Sequence, residues 1–245
     1  SSKRKAATSA RGKKQSKQVA RGGKRKKETA AQRKRRLARE DYRNIRNAKV
    51  SMPQGWQWPP TAAMRSQGDE CKTSLTDLGI GWEAAEPTGH IVTPIVVPSM
   101  EIGGVKLTSR FRKGPHVMDC QFALGMATLA PQLYEAGVRE LTFSSIFRET
   151  RVRHHGKTRN QLSRHALGLA MDIHSITHED GSVVVVKEDY PKGDEFLLSV
   201  ENVLLESGAI RSLLSPRNDP RSHDDHYHFE MRFDAPVPPK RRPNS

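Results

Sequence analysis

The first 49 residues carry nearly all of the excess positive charge of this chain. They contain 20 Lys and Arg against 3 Asp and Glu, a net charge of +17, whereas residues 50–245 contain 22 against 24, a net charge of −2. A stretch this basic buries too little apolar surface to offset the entropy lost on ordering, so residues 1–49 are expected to be a disordered tail. The folded core must therefore form from residues 50–245, and a uniformly basic nucleic-acid-binding domain is excluded.

The composition also argues against a membrane-embedded protein. Hydrophobic residues make up 35% of the chain, and no apolar run approaches the ~20 residues of a transmembrane helix. Tyr42 is the single aromatic residue of the tail, which therefore lacks platforms for base stacking. Four interpretations of the tail stay open: contact with an anionic surface or polymer, contact with nucleic acid through phosphates, which is not favoured, an import signal read by a receptor, and a solvated tail without a partner.

The remaining chain shows a linker, one domain and a second tail. Residues 50–69, rich in proline, predict an extended linker; residues 70–234 predict the folded domain, and residues 235–245 a disordered Pro-rich tail. Periodic apolar residues predict helices from Asp119 to Gly137 and from Asp194 to Gly208. Strands are predicted at 90–97, 101–108, 139–145, 182–186 and 227–233, with 182–186 buried. Since helices and strands are mixed without βαβ regularity, the expected class is α+β, with a mainly antiparallel sheet flanked by helices.

Histidines are concentrated in two segments, 163–172 and 223–228. Side chains alternate along a strand, so His226 and His228 are expected to point to the same face. Asp172 stands among apolar residues, where an unpaired carboxylate is costly. Imidazole nitrogens and carboxylate oxygens are ligands of zinc. The two segments together therefore predict a Zn2+ site.

The chain has two cysteines, Cys71 and Cys120. Two buried, reduced thiols and one disulfide formed in an oxidising compartment are both consistent with this number.

These motifs resemble those of known families. His165 and Asp172, with six residues between them, followed by His226-Tyr227-His228, resemble the signature of the LAS-type zinc peptidases, which include D-alanyl-D-alanine metallopeptidases, lysostaphin-type enzymes and hedgehog domains. Residues 70–233 as a whole resemble the extensin-like protein C-terminal family, through Cys71, Thr93-Pro94, the segment 118–121 and the closing His-rich strand. The resemblance implies a zinc site in a cleft on the sheet.

The resemblance also implies roles for individual residues. His165, Asp172 and His228 would bind zinc. The catalytic base would be His226 or Asp225: D-alanyl-D-alanine enzymes use a carboxylate at the position of Asp225, whereas the alternation along the strand favours His226.

Three further residues are expected at the cleft. His223 matches an active-site histidine of the penicillin-insensitive murein endopeptidases. Arg148 resembles the substrate-facing arginine of the D-alanyl-D-alanine enzymes, and an oxyanion would be stabilised by Arg148 or His223. Ser163 is expected to line the same substrate-binding cleft.

The implied function is that of a zinc metallopeptidase. It would hydrolyse amide bonds in peptidoglycan peptides or crosslinks, as a D,D-endopeptidase or carboxypeptidase. The expected location is secreted or periplasmic, with the signal peptide absent from this chain, which begins at Ser1. Two alternatives stay open: a non-catalytic module that binds cell wall or a partner on the same scaffold, and a hydrolase whose basic tail binds nucleic acid.

Overall fold

A computed structural model describes residues 52–53, 55–154 and 157–233. Both predicted tails, residues 1–49 and 235–245, lie outside the described residues. Among the helices that are described, none has the length and apolar character needed to cross a membrane.

The helices and strands alternate irregularly along the chain. In order they are α1 (Ala62–Asp77), β1 (Glu83–Ala84), β2 (Pro94–Val96), β3 (Glu101–Ile102), β4 (Val105–Ser109), β5 (Met118–Asp119), α2 (Cys120–Glu135), β6 (Val138–Ser145), β7 (Arg151–His154), β8 (Lys157–Leu162), a 3-10 turn (Arg164–Leu167), β9 (Ala170–His178), β10 (Val183–Val185), α3 (Val186–Asp189), a 3-10 turn (Tyr190–Lys192), α4 (Glu195–Glu206), β11 (Ile210–Leu214) and β12 (Tyr227–Met231). Asp119 caps α2 by accepting a hydrogen bond from the Gln121 amide, and Asp194 caps α4 through the Leu197 amide. The two helices predicted from apolar periodicity are thus confirmed.

The main sheet has seven strands in the order β11-β12-β9-β6-β4-β3, with β10 also paired to β9. β4 and β6 are parallel, whereas all other pairings in this sheet are antiparallel. The α+β class is confirmed, but the main sheet is mixed. Two smaller antiparallel sheets, β1-β2-β5 and β7-β8, accompany it.

The two faces of β9 and β12 have different environments. Met171, Ile173, Tyr227 and Phe229 are fully buried in the hydrophobic core, and the Phe229 ring stacks on Phe122 of α2 with centroids 6.1 Å apart. Since side chains alternate along strands, the intervening polar residues face the opposite side of the sheet. Core packing against α2 therefore fixes the face on which those polar residues lie.

The first described segment differs from the sequence prediction. Residues 62–69, predicted as part of an extended linker, form the start of α1. Thr61 accepts a hydrogen bond from the Met64 amide at 3.2 Å and so caps the helix, and Met64 is buried. Cys71 in α1 and Cys120 in α2 form a disulfide with a Cα–Cα distance of 6.1 Å. The covalent bond holds α1 against the core helix, so this part of the chain belongs to the folded domain.

The valine run at 183–186 is not the buried strand that its composition predicted. β10 has three residues and pairs with the C-terminal part of β9, past the residues of β9 that pair with β12. Its first residue, Val183, is 57% exposed. Val186 is buried but begins α3. Because a tight turn at Gly181 returns the chain onto the last residues of β9, β10 pairs there, with Val183 exposed and Val184 and Val185 partly buried.

Candidate metal centre

His165 is placed by the 3-10 turn that precedes β9. The turn begins after Ser163, whose hydroxyl accepts a hydrogen bond from the His165 amide at 3.2 Å, and ends at Gly168 with φ of 65°. A Cβ atom at Gly168 would lie 2.7 Å from the Asp119 amide nitrogen. Glycine is therefore required for the turn to pack against the start of α2 and to return the chain into β9.

His165 comes together with Asp172 and His228 in the buried interior. Asp172 and His228 are directly paired in the register of β9 and β12. His165 Nε2 lies 3.1 Å from Asp172 Oδ1 and 3.2 Å from His228 Nδ1, and His228 Nδ1 lies 2.8 Å from Asp172 Oδ1. Ligands of a tetrahedral zinc ion with bonds of ~2.0–2.1 Å are separated by about 3.3 Å. The three donor atoms fit a zinc-sized ion in both chemistry and spacing.

Neighbouring acceptors orient both imidazoles for coordination. His165 Nδ1 lies 3.0 Å from the Ile146 carbonyl oxygen, to which it donates its proton. His228 Nε2 faces Glu230 Oε1 at 3.5 Å. With a proton on each of these nitrogens, His165 Nε2 and His228 Nδ1 would offer their lone pairs to a bound ion, whereas without one these two nitrogens are the hydrogen-bond partners of Asp172. Metal-binding histidines commonly have such a partner on the other ring nitrogen.

Charges within the cluster compensate one another. Burial alone would raise the pKa of Asp172, but hydrogen bonds with His165 and His228 hold it well below its usual range. Burial lowers the pKa of His165. For His228, burial is outweighed by hydrogen bonds with Asp172 and Glu230, which raise its pKa to about 9. Arg148 adds an ion pair, with Nη2 3.0 Å from Asp172 Oδ2. The centre thus holds an ionised carboxylate among cationic partners.

His226 lies beside this cluster, on the same side of the sheet. Its Nδ1 is 2.6 Å from Asp225 Oδ1, and its Nε2 is 3.7 Å from Asp172 Oδ1. A proton on Nδ1, donated to Asp225, leaves the lone pair of Nε2 directed towards the centre. In this arrangement Asp225 orients His226.

His223 completes the cluster of rings. Its ring centroid lies 4.8 Å from that of His226 and 5.4 Å from that of His228, and its Nδ1 is 3.1 Å from Asp219 Oδ2. Burial, together with the neighbouring His228 and His226, lowers the pKa of His223 to about 4. His223 is therefore neutral at pH 7.

The structure thus brings seven of the eight residues singled out from the sequence around one point. Six are the four histidines, Asp172 and Asp225; the seventh, Arg148, has a side chain that is 49% exposed. Ser163 is part-buried, and its hydroxyl holds the turn that carries His165. The ligand and catalytic roles of all eight stay predictions.

Two residues near this point were not singled out from the sequence. Glu230 contacts His228, and the ring of His174 lies 5.2 Å from that of His226. Each follows a predicted ligand by two residues on its strand, Glu230 after His228 and His174 after Asp172. The period of two along a strand was therefore a usable signal for both.

Comparison with protein families adds an independent finding. Neither curated proteins nor solved structures gave a match to the chain. The model of the family described as extensin-like protein C-terminus matches residues 69–237, which include every residue of the metal centre described above. The chain therefore belongs to the extensin-like protein C-terminal family.

Proposed function

We propose that this protein is a zinc-dependent peptidase that hydrolyses amide bonds in peptidoglycan peptides or crosslinks, built on a LAS-type scaffold. The observation that carries the proposal is the convergence of His165, Asp172 and His228 beside a third imidazole, His226, which Asp225 orients. His165, Asp172 and His228 would hold a zinc ion, which would supply the Lewis acidity that polarises an amide carbonyl and makes water nucleophilic near neutral pH.

His226 is suited to move the proton in this reaction. Its Nδ1 is hydrogen-bonded to Asp225, so its Nε2 accepts the proton of the attacking water and then returns it to the leaving amide nitrogen. Asp225 holds the ring in the required tautomer and stabilises the positive charge that develops on it. We therefore assign His226 as the base and Asp225 as its positioning residue.

Arg148 and His223 are the side chains available to the substrate at this point. Arg148 forms an ion pair with Asp172 through Nη2. Because about half of its side chain is exposed, it can also bind an anionic group of the substrate. An arginine donor to a developing oxyanion contributes about 3 kcal/mol to catalysis in comparable sites. His223 is neutral at pH 7 and donates its single proton from Nδ1 to Asp219, so its Nε2 offers the substrate a hydrogen-bond acceptor rather than a cation.

The location and the partner follow from other features. The Cys71–Cys120 disulfide is consistent with a secreted or periplasmic protein, because such bonds persist in oxidising compartments. The +17 charge of residues 1–49 favours anionic cell-wall or membrane surfaces and would raise the local concentration of enzyme there. Peptidoglycan is the substrate that the LAS resemblance implies.

Digestion of purified peptidoglycan by the full chain tests the proposal. Zinc-loaded wild type is expected to release peptides identifiable by mass spectrometry, and His226→Gln to retain zinc but lose at least 100-fold in rate. His178→Gln, on β9 but with its ring packed on Phe196, is the matched control and should behave as wild type. His165→Ala should lose the zinc.

Three results would contradict these assignments. Binding to peptidoglycan without cleavage of any bond would replace the peptidase by a binding module. A fully active His226→Gln would remove His226 as the base. Full metal content in His165→Ala would overturn the ligand set.

A further inference from the structure

A second group of potential metal ligands adjoins the first centre on the same side of the sheet. One nitrogen each of His174 and His226 and one carboxylate oxygen of Asp225 lie within 4.8 Å of one another. The two rings have centroids 5.2 Å apart, and His226 Nδ1 is 2.6 Å from Asp225 Oδ1. Two imidazoles and one carboxylate are the same donor set as that of the first centre.

The surroundings of this group set its expected affinity. All three residues are partly exposed, so an ion can enter from solvent without opening the core. The positive charges of Arg110 and Lys187 act on His174 and Asp225, respectively, and oppose the binding of a cation. Greater exposure and these two cations make the group a weaker metal site than the buried centre.

We propose that His174, Asp225 and His226 bind a second divalent ion of the zinc type, more weakly than the buried centre, and that this ion inhibits the enzyme. His226 is common to both places, since its Nδ1 faces Asp225 while its Nε2 faces Asp172 at 3.7 Å. A neutral ring that binds an ion through Nδ1 carries its single proton on Nε2. Nε2 then has no lone pair for the proton of the attacking water, and the base is lost.

The second site and its effect rest on different premises. The binding of the ion depends only on the three side chains, whereas the inhibition rests on the proposed peptidase function. The two are therefore measured separately.

Equilibrium dialysis of the full chain against Zn2+, with elemental analysis, measures the site itself. Wild type is expected to bind one more ion per chain than His174→Gln at micromolar to millimolar free zinc, while both retain the tightly bound ion. His178→Gln, which changes another β9 histidine with a ring outside both groups, should match wild type. Asp225→Asn is a second variant and should also lose the weaker ion. Equal zinc content in wild type and both site variants would overturn the proposal.

Cleavage assays at rising free zinc measure the consequence. Wild type and His174→Gln should have the same rate when only the first ion is bound, because the hydrogen bond of His174 is to the backbone oxygen of Asp225 and leaves the Asp225 carboxylate on His226. Excess zinc should inhibit wild type, and His174→Gln should require at least tenfold more zinc for the same inhibition. Identical inhibition curves would refute the regulatory part. If no variant cleaves peptidoglycan at all, the proposed function fails while dialysis still decides the second site.

Discussion

Glu230 is expected to set the affinity of the buried centre without touching the metal. The side chain of Glu230 is only 12% exposed; its Oε1 lies 3.5 Å from His228 Nε2, and its other carboxylate oxygen pairs with Arg211. Burial alone would raise the pKa of Glu230, but contacts with His228, Arg211 and Arg164 lower it to about 2. Glu230 is thus a fixed negative charge behind the ring of His228, and it increases the electron density that the ring offers through Nδ1.

The magnitude follows from the length of this contact. Removing the hydrogen-bond partner of a metal-binding histidine weakens metal affinity by about 10- to 100-fold. Because 3.5 Å is long for a hydrogen bond, the lower end applies. Glu230→Gln keeps the size of the side chain and removes its charge, so we expect zinc affinity to fall about tenfold, or ~1.4 kcal/mol.

Competition with a chromophoric chelator measures this affinity in the full chain. Glu140→Gln is the matched control, since Glu140 lies on β6 and pairs with Lys106 on the surface. Thermal unfolding of the zinc-free variants separates an effect on folding from an effect on the metal. An affinity for Glu230→Gln within twofold of wild type would refute the assignment of Glu230 to the metal centre.

Three other outcomes test the fold and the base. The Cys71–Cys120 disulfide closes a loop of 49 residues, so its reduction should lower the free energy of unfolding in urea by about 4 kcal/mol. A decrease of less than about 1 kcal/mol would contradict this expectation. Burial raises the pKa of Asp119 from 3.8 to about 6, so the folded state holds this proton more tightly and the associated stability is lost as the pH rises through 6. The free energy of unfolding of wild type should therefore fall by about 3 kcal/mol between pH 3 and 7 relative to that of Asp119→Asn, as measured by denaturant unfolding at both pH values. If the difference in free energy between the two proteins does not depend on pH, Asp119 titrates normally. Asp225→Asn should lower kcat by about 10- to 100-fold and leave KM and the tightly bound zinc unchanged. An unchanged kcat would show that Asp225 does not position His226. A decrease in kcat as large as that of His226→Gln would make Asp225 the base instead.

The parts of the fold that were predictable from sequence are those determined by local patterns. α2 and α4 combine helical periodicity with aspartate N-caps, and both signals lie within a few residues of each other. The parallel pairing of β4 with β6 joins strands separated by the whole of α2, so no local pattern specifies it. The helical start of α1 was hidden by the prolines before it, although Thr61 is a favourable cap.

The candidate site was predictable to the extent that it depends on strand alternation and motif spacing. Alternation places His226 and His228 on one face, and the spacing of His165 and Asp172 suggested a shared site. The Ile146 carbonyl that accepts the His165 proton lies 19 residues away along the chain. Because every residue has a backbone carbonyl, the sequence does not show which of them accepts this hydrogen bond. Tertiary packing alone supplies this contact.

The positions of the proposed metal ligands are tied to the packing of the core. Asp172 lies between Met171 and Ile173, and His228 between Tyr227 and Phe229; all four neighbours are fully buried. A shift of either strand along its partner by one residue would exchange these faces and place the ligands in the core. The hydrophobic effect therefore fixes the strand register, and the register brings Asp172 opposite His228. Because two paired core strands hold Asp172 and His228, these side chains would lose little conformational entropy when an ion binds, so a rigid sheet suits the proposed centre better than a loop would.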